Sequence, residues 1–290
     1  MKNILKLLLA FLILSSCQKA IEINFPDSNN KLVINSLFTK DSLLTVNIFE
    51  STFIKDTVYN YVDNLNVLVY ENDIFWDTLK NLNQGKYIST KTLKVNYSYK
   101  IEINSQKYNL TKAIGIIPQK VVPLKIKRTN NTGISNEGTY YSAIEINFDD
   151  PAEVKNYYQL VLKYKDTVNH DSRVWLDAKS NPGDSYNNLL DDQTESFLFS
   201  DEFLNGKNIN IKTIYYRAIS NSDEGDTIYT LYAYFNSISE EMYKYQKSLQ
   251  TYRQSNNNPL FTITDPYQFY SNIENGFGIF AGYNCYVDSL

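Results

Sequence analysis

Short apolar runs separated by turn-forming residues make up most of residues 31–110 of this chain. Within residues 97–103, apolar and polar positions alternate, which is typical of a strand that buries one face. Asn72 and Asp73 separate two of the runs, and both residue types favour tight turns. The runs that predict strands are residues 31–35, 43–49, 66–70, 74–76, 85–88, 97–103 and 107–110. Together they predict an immunoglobulin-like β-sandwich domain over residues 25–120.

The same β pattern resumes beyond residues 117–123, where two prolines indicate a link between domains. Asn, Asp, Gly, Pro and Ser crowd residues 181–192, which predicts a long loop. Further strands are predicted at residues 124–126, 140–148, 156–162, 209–215 and 227–234. Residues 121–290 are therefore predicted to form a second β-sandwich-like domain.

One segment near the C-terminus has helical spacing. Ser239 is a residue type that caps helix N-termini, and two glutamates follow it in the first turn, where the helix dipole favours anions. Met242, Tyr245 and Leu249 recur three and four residues apart, so we expect them to face the second sheet. The sequence thus predicts a helix at about residues 239–254, and overall a mainly β protein with two immunoglobulin-like sandwich domains and this one helix.

The N-terminus has the features of an export signal. Lys2 and Lys6 supply positive charge, and residues 4–14 are otherwise apolar. This run of about eleven residues is shorter than the roughly 20 that a membrane-spanning helix needs. It ends in Leu-Ser-Ser-Cys, which is similar to the lipobox of bacterial lipoproteins, so residues 1–16 are predicted to be a signal peptide. Cys17 would then carry the lipid (palmitate), with residues 17–24 as a tether. The alternative is an ordinary signal peptide with a chance cysteine.

Composition narrows the possible partners. The formal net charge is -4, and no block of lysines or arginines offers the phosphate contacts on which nucleic-acid affinity depends. Nucleic acid is therefore excluded as an expected partner. Tyrosine is unusually common, with 25 residues. Its β-propensity and its hydroxyl suit half-exposed strands, and would equally suit a surface that contacts carbohydrate or protein.

Residues that could carry catalysis or hold a metal are few. The chain has one histidine, His170, which lies in a polar stretch typical of a solvated turn. If Cys17 is lipidated, Cys285 is the remaining thiol, and its aromatic neighbours favour a structural role. These two residues cannot form a usual zinc site. Acidic clusters at residues 191–192 and 223–226 could hold calcium, but they lack the spacing of a calcium-binding loop. We therefore predict no catalytic residue, no metal site and no cofactor.

Paired carboxylates could in principle hydrolyse glycosides, but the sequence gives no distance between any two of the 32 acidic residues. Trp76 and Trp175 are candidates for stacking against a sugar ring. Trp175 alternates within a strand-like stretch, so burial in the core is at least as good an interpretation. No glycine-rich loop precedes a helix in a way that would bind phosphate.

Four segments, taken in order, resemble a family of Bacteroidota outer-membrane lipoproteins that contain a domain of unknown function. They begin at Cys17, Ile146, Ser200 and Ser237. The most specific is the ending Ser271-Asn272-Ile273-Glu274-Asn275-Gly276-Phe277-Gly278-Ile279-Phe280. Similar proteins usually have glycine where this chain has Asn275, a residue that also tolerates left-handed backbone. A glycine-aromatic segment of this kind is typical of a tightly packed strand.

The resemblance implies a location and a partner more than a chemistry. Proteins of this family are outer-membrane lipoproteins, commonly encoded beside TonB-dependent receptors, and no catalytic residues come with the resemblance. We therefore expect a non-enzymatic accessory or ligand-binding partner of such a receptor in nutrient uptake. A structural or adhesive surface protein is one alternative, and a hydrolase that uses acidic residues is another.

Overall fold

The computed structural model describes residues 30–52, 60–134, 138, 140–165, 171–173, 175–177, 193–194, 196–216, 230–257 and 268–290. Strands predominate, and the one helix among these residues lies near the C-terminus, so the predicted mainly β fold class is confirmed. The strands are β1 (Leu32–Thr39), β2 (Leu43–Glu50), β3 (Asn60–Tyr61), β4 (Val67–Glu71), β5 (Ile74–Thr78), β6 (Lys80–Asn81), β7 (Lys86–Thr92), β8 (Ser98–Ile103), β9 (Thr111–Ile116), β10 (Lys125–Ile134), β11 (Tyr140–Asp149), β12 (Tyr157–Lys165), β13 (Asp171–Arg173), β14 (Trp175–Asp177), β15 (Gln193–Thr194), β16 (Phe197–Ser200), β17 (Asn208–Tyr216), β18 (Thr230–Ile238) and β19 (Phe277–Ser289). The helix is α1 (Glu240–Asn257).

The largest sheet has ten strands and joins both halves of the chain. Its order is β13-β12-β18-β19-β1-β2-β7-β6, with β16 also paired to β12 and β3 to β2. At its centre the first strand and the last strand run parallel, with Val33 opposite Phe277 and Thr39 opposite Tyr283. Strands β1 and β19 are more than 200 residues apart in the sequence. The central pairing of the sheet is therefore a long-range contact.

Two smaller sheets pack against one face of this sheet and enclose two hydrophobic cores. The four-stranded sheet β5-β4-β8-β9 buries its apolar side chains, such as Val69 and Ile101, against Ile34 of β1. The five-stranded sheet β10-β11-β17-β14-β15 contributes Phe148 to a second core with Phe235 of β18. The layers are those of β-sandwiches. Ile117 packs in the first core and Val121 packs in the second, so the chain passes from one core to the other inside the predicted linker. The described part of residues 31–290 forms one compact unit, and the division into two domains stays a prediction.

Helix α1 begins where its sequence predicts. The backbone N–H of Met242 donates to the hydroxyl oxygen of Ser239 at 3.3 Å, the bond that an N-cap serine supplies. Met242 is buried against Ile238, Ile279 and neighbouring residues, while Leu249 is only half-buried. The expected packing against the sheet is therefore observed for Met242, whereas Leu249 is not part of this buried cluster. Because side chains alternate along β19, this contact places α1 on the face of the ten-stranded sheet opposite the two cores.

Asparagine and aspartate replace glycine at many of the tight turns. Nine non-glycine residues of the described part have positive φ, and eight of them are Asn or Asp. Asn72 (φ 49°) and Asp73 (φ 65°) form the predicted turn between β4 and β5, with the two positive φ angles of a type I′ hairpin. These short polar side chains are the non-glycine residues that tolerate left-handed backbone best. A chain with only 10 glycines can therefore still form many hairpins.

Candidate functional site

Segments that are remote in sequence bring two carboxylates into the interior of the second core region. Asp150 follows β11 and is 6 % exposed, and Asp201 follows β16 and is 1 % exposed. The Tyr158 hydroxyl donates to Oδ1 of Asp150 at 2.5 Å, and the Gly206 backbone N–H donates to its Oδ2 at 2.9 Å. We call Asp150, Tyr158 and Asp201, with Asn156 and Gly206, the acid–tyrosine cluster.

Asp201 is held mainly by backbone groups. Its Oδ2 accepts the backbone N–H of Asn156 at 2.8 Å, and its own N–H donates to the carbonyl of Asn156 at 3.1 Å. Burial raises the pKa of Asp201, and the nearby charge of Asp150 raises it further, although the bond from Asn156 opposes both. Burial, together with the bond to Asp150, also raises the pKa of Tyr158. The cluster thus fixes the loop of residues 201–207 to the ends of β11 and β12.

Two neighbouring carboxylates are the arrangement that glycoside hydrolysis requires, so the cluster bears on the hydrolase alternative. A general acid or nucleophile must reach a substrate, whereas these side chains are almost fully buried. Three of their oxygens accept hydrogen bonds from Tyr158, Gly206 and Asn156. The geometry therefore favours a structural connection between loops over a catalytic pair.

The raised pKa of Asp201 gives a test with a defined sign. A carboxyl whose folded pKa exceeds its unfolded value destabilises the fold as pH rises through that interval, because the buried charged form is disfavoured. Asp201→Asn keeps an oxygen for the N–H of Asn156 and removes the charge. We expect its melting temperature at pH 7 to equal or exceed that of the parent. On acidification from pH 7 to about pH 4, where an unfolded aspartate titrates, its melting temperature should rise less than that of the parent. An unchanged pH dependence would show that Asp201 is not the group responsible.

The glycine-aromatic ending closes one edge of the four-stranded sheet with side-chain amides. The side-chain N–H₂ of Asn272 donates to the carbonyls of Ile114 at 3.0 Å and Phe280 at 2.8 Å, while its Oδ1 accepts the N–H of Phe280 at 3.0 Å. Asn275 donates in the same way to the carbonyl of Leu110 at 2.9 Å. Strand β9 is an edge strand, and such edges are prone to pairing with other chains when left open. The side-chain amides of Asn272 and Asn275 therefore bind the carbonyls of Ile114 and Leu110, which another strand could otherwise bind.

The glycines of this ending are required by close backbone approach. Gly278 has φ +105°, and a Cβ atom at this position would lie 2.1 Å from the carbonyl oxygen of Ile34. Asn275 has φ 58°, so it adopts the left-handed backbone that the resemblance implies for this position. The segment is a tightly packed strand, as its pattern indicates. Its most distinctive residues therefore hold the central sheet together.

Several residues singled out from the sequence fall beyond the described ranges. Cys17, His170 and the acidic clusters at residues 191–192 and 223–226 lie outside them. Trp175 begins β14, but its side chain is outside the description as well. Within the described ranges, no group of three or more His, Cys, Asp or Glu side chains could hold a metal ion. In that same part of the chain, no helix is long and apolar enough to cross a membrane.

Two other candidates lie in the described part and belong to the protein interior. Trp76 is 7 % exposed, and its ring packs edge-on against Tyr99 with centroids 5.4 Å apart, so it is a core residue and offers no open face to a sugar. Cys285 is half-buried, and burial raises the pKa of its thiol. A raised pKa lowers the fraction of reactive thiolate, which agrees with the structural role expected for this cysteine.

The outer face of the ten-stranded sheet, beside α1, combines tyrosines with lysines. Lys163 Nζ lies 5.4 Å from the ring centroid of Tyr234, and Lys165 Nζ lies 5.2 Å from that of Tyr232. The pairing of β12 with β18 places Lys163 opposite Tyr232 and thus sets all four side chains on this face. On α1, Lys247 Nζ is 5.7 Å from the Tyr243 ring. We call this surface the lysine–tyrosine face. The sequence shows its residue types but not the register that assembles them.

The chain matches the model of a protein family over most of its length. A family model described as "Domain of unknown function (DUF4249)" matches residues 18–287. This range includes the acid–tyrosine cluster, the glycine-aromatic ending and the lysine–tyrosine face. No curated protein matches the chain significantly.

Proposed function

We propose that this chain, which belongs to the family with the domain of unknown function DUF4249, is a non-enzymatic, lipid-anchored protein of the bacterial outer membrane. It works by binding, and the partner that we propose is a TonB-dependent receptor in nutrient uptake. The observation that carries the binding role is the lysine–tyrosine face. The anchor and the receptor rest on the Leu-Ser-Ser-Cys17 ending and on the sequence resemblance.

The lysine–tyrosine face has the physical properties of a binding surface. Tyr232 and Tyr234 are half-buried, so the sheet holds each side chain while part of its surface remains accessible. Tyrosine offers a large contact area and loses little side-chain entropy on binding. A lysine stacked over each ring adds a cation whose stem covers apolar surface. The buried, hydrogen-bonded state of Asp150 and Asp201 supports binding over hydrolysis as the activity.

The anchor is tested by Cys17→Ser in the full chain. The lipid supplies the strong apolar attachment in this proposal, so the serine variant is expected to leave the membrane fraction. Protein that still sediments with membranes at high salt would contradict the lipoprotein assignment.

The binding role is tested with the lipidated protein in detergent-solubilised outer membrane. Tyr232→Ala and Tyr234→Ala are expected to reduce co-purification of a receptor barrel by about tenfold each, the scale of a contact at the centre of an interface. Tyr140→Ala is the matched control, since Tyr140 is 60 % exposed and lies on the five-stranded sheet. Melting curves of all three variants check that folding is preserved.

Three results would contradict this function. Equal retention of the barrel by all variants would remove the lysine–tyrosine face from the interface. A protein that co-purifies with no barrel would favour the structural or adhesive alternative. Turnover of a glycan or peptide that disappears when Asp150 or Asp201 is replaced by a neutral residue would instead make the protein a hydrolase.

A further inference from the structure

A row of apolar side chains crosses the ten-stranded sheet at the end where β1 begins. Strand pairing aligns Phe277 with Val33, Val33 with Phe49, and Phe49 with Tyr61. With strands about 4.8 Å apart, the row is about 14 Å long. Phe277 is 47 % exposed and Tyr61 is 50 % exposed, and the Phe49 and Tyr61 rings lie 5.4 Å apart.

One lysine borders this row, and an exposed leucine and a second lysine lie at the same end of the fold. Leu110 is 42 % exposed, and its carbonyl accepts the bond from Asn275, two residues before Phe277. Lys31 Nζ lies 5.2 Å from the centroid of the Phe277 ring. Lys107, with a side chain 64 % exposed, pairs with Glu50 beside Phe49 at 2.7 Å. We call the four residues of the row and Leu110 the tether-end patch.

The position of the patch along the chain indicates its partner. Lys31 directly precedes β1, and 14 peptide units separate it from Cys17. A fully extended segment of that length reaches at most about 50 Å, and a relaxed one reaches less. If Cys17 carries the lipid, the body is therefore attached to the membrane at the border of the patch. Membrane surfaces favour aromatic rings at the headgroup level and lysines that extend towards phosphates.

We propose that the tether-end patch rests on the lipid headgroups beside the anchor. Phe277, Tyr61 and Leu110 enter the boundary between headgroups and acyl chains, and Lys31 faces the phosphates. This inference rests on the proposed lipid anchor and adds an orientation to it. The β4–β5 hairpin, at the opposite end of the four-stranded sheet, then points away from the bilayer.

The test uses the lipidated full chain in vesicles of phosphatidylethanolamine and phosphatidylglycerol. Phe277→Trp and Tyr61→Trp report from the patch, and Phe75→Trp is the matched control, because Phe75 is 58 % exposed beside the β4–β5 hairpin. Fluorescence is measured as the difference from the parent chain, which contains Trp76 and Trp175. With a spin-labelled lipid headgroup as quencher, both patch variants are expected to lose at least half of the added emission. On vesicles, the emission maximum of the added tryptophan is expected to shift to the blue. Phe75→Trp is expected to lose little.

Flotation of the vesicles separates the two possible failures. Protein that does not float with vesicles lacks the anchor, and this inference falls with the proposed localisation. Protein that floats but shows equal quenching at all three positions, or none at the patch, retains the anchor and overturns the inference alone. A spectral shift of Phe277→Trp with soluble oligosaccharides, without quenching by lipid, would identify the patch as a carbohydrate site and would also overturn it.

Discussion

Replacement of Gly278 by alanine is expected to lower the free energy of unfolding by about 2–5 kcal/mol. At φ +105° an alanine is strained by about 1–2 kcal/mol, and overpacking against the Ile34 carbonyl adds about 1–3 kcal/mol. The contact lies in the parallel pairing of β1 with β19, the centre of the ten-stranded sheet. Urea unfolding at constant pH measures the loss as a lower midpoint.

Gly138→Ala is the control for this variant. Gly138 has φ +81°, but a Cβ atom there would meet no atom of the described residues within 4 Å. Its substitution is therefore expected to cost only the backbone strain, about 1–2 kcal/mol. If both variants lost the same stability, the approach of Gly278 to Ile34 would not be tight, and the structural explanation of the glycine-aromatic ending would be wrong.

Replacement of Asp150 by alanine is the second large effect that we expect. The variant leaves the Tyr158 hydroxyl and the Gly206 N–H without their acceptor in the interior. An unsatisfied buried donor costs about 1–3 kcal/mol, so with relaxation we expect a loss of about 2–4 kcal/mol. Chemical unfolding followed by circular dichroism measures it.

Asp149→Ala serves as the neighbouring control, because Asp149 is exposed and accepts a bond from Asn208 at the surface. It is expected to cost less than about 1 kcal/mol. In the double variant Asp150→Ala with Tyr158→Phe, the orphaned hydroxyl is also removed, so the combined loss should be smaller than the sum of the two single losses. Strict additivity would show that the two side chains are not coupled.

Local features of this protein could be predicted from the sequence because their causes lie within a few residues. Alternation in residues 97–103 predicted strand β8, observed at Ser98–Ile103. The pair Asn72 and Asp73 predicted a turn, and its positive φ angles follow from their side-chain chemistry. Ser239 predicted the helix start, because an N-cap bond spans only three residues. Helix length was less well predicted, since the helix continues to Asn257 beyond the expected end at about residue 254.

The acid–tyrosine cluster could not be predicted as a unit. Asp150 and Tyr158 belong to one segment that the resemblance singled out and Asp201 belongs to the next, and nothing in their spacing relates Asp201 to Asp150. Burial of both carboxylates depends on the packing of β11, β12 and β16. The position of Trp76 could not be predicted from the sequence either. The fold packs its ring against Tyr99 in the core, so it is not available to stack on a sugar.

What the sequence by itself determined is the class of structure: short strands, Asn-rich turns and one capped helix. These follow from side-chain periodicity and local backbone preference, which act over a few residues. Only the tertiary structure decided that β1 pairs in parallel with β19, and thereby aligned Phe277, Val33, Phe49 and Tyr61 in one row. Register between distant strands is set by the simultaneous burial of many side chains, and no local pattern contains that information. The lysine–tyrosine face and the tether-end patch, on which both proposals depend, are products of that register.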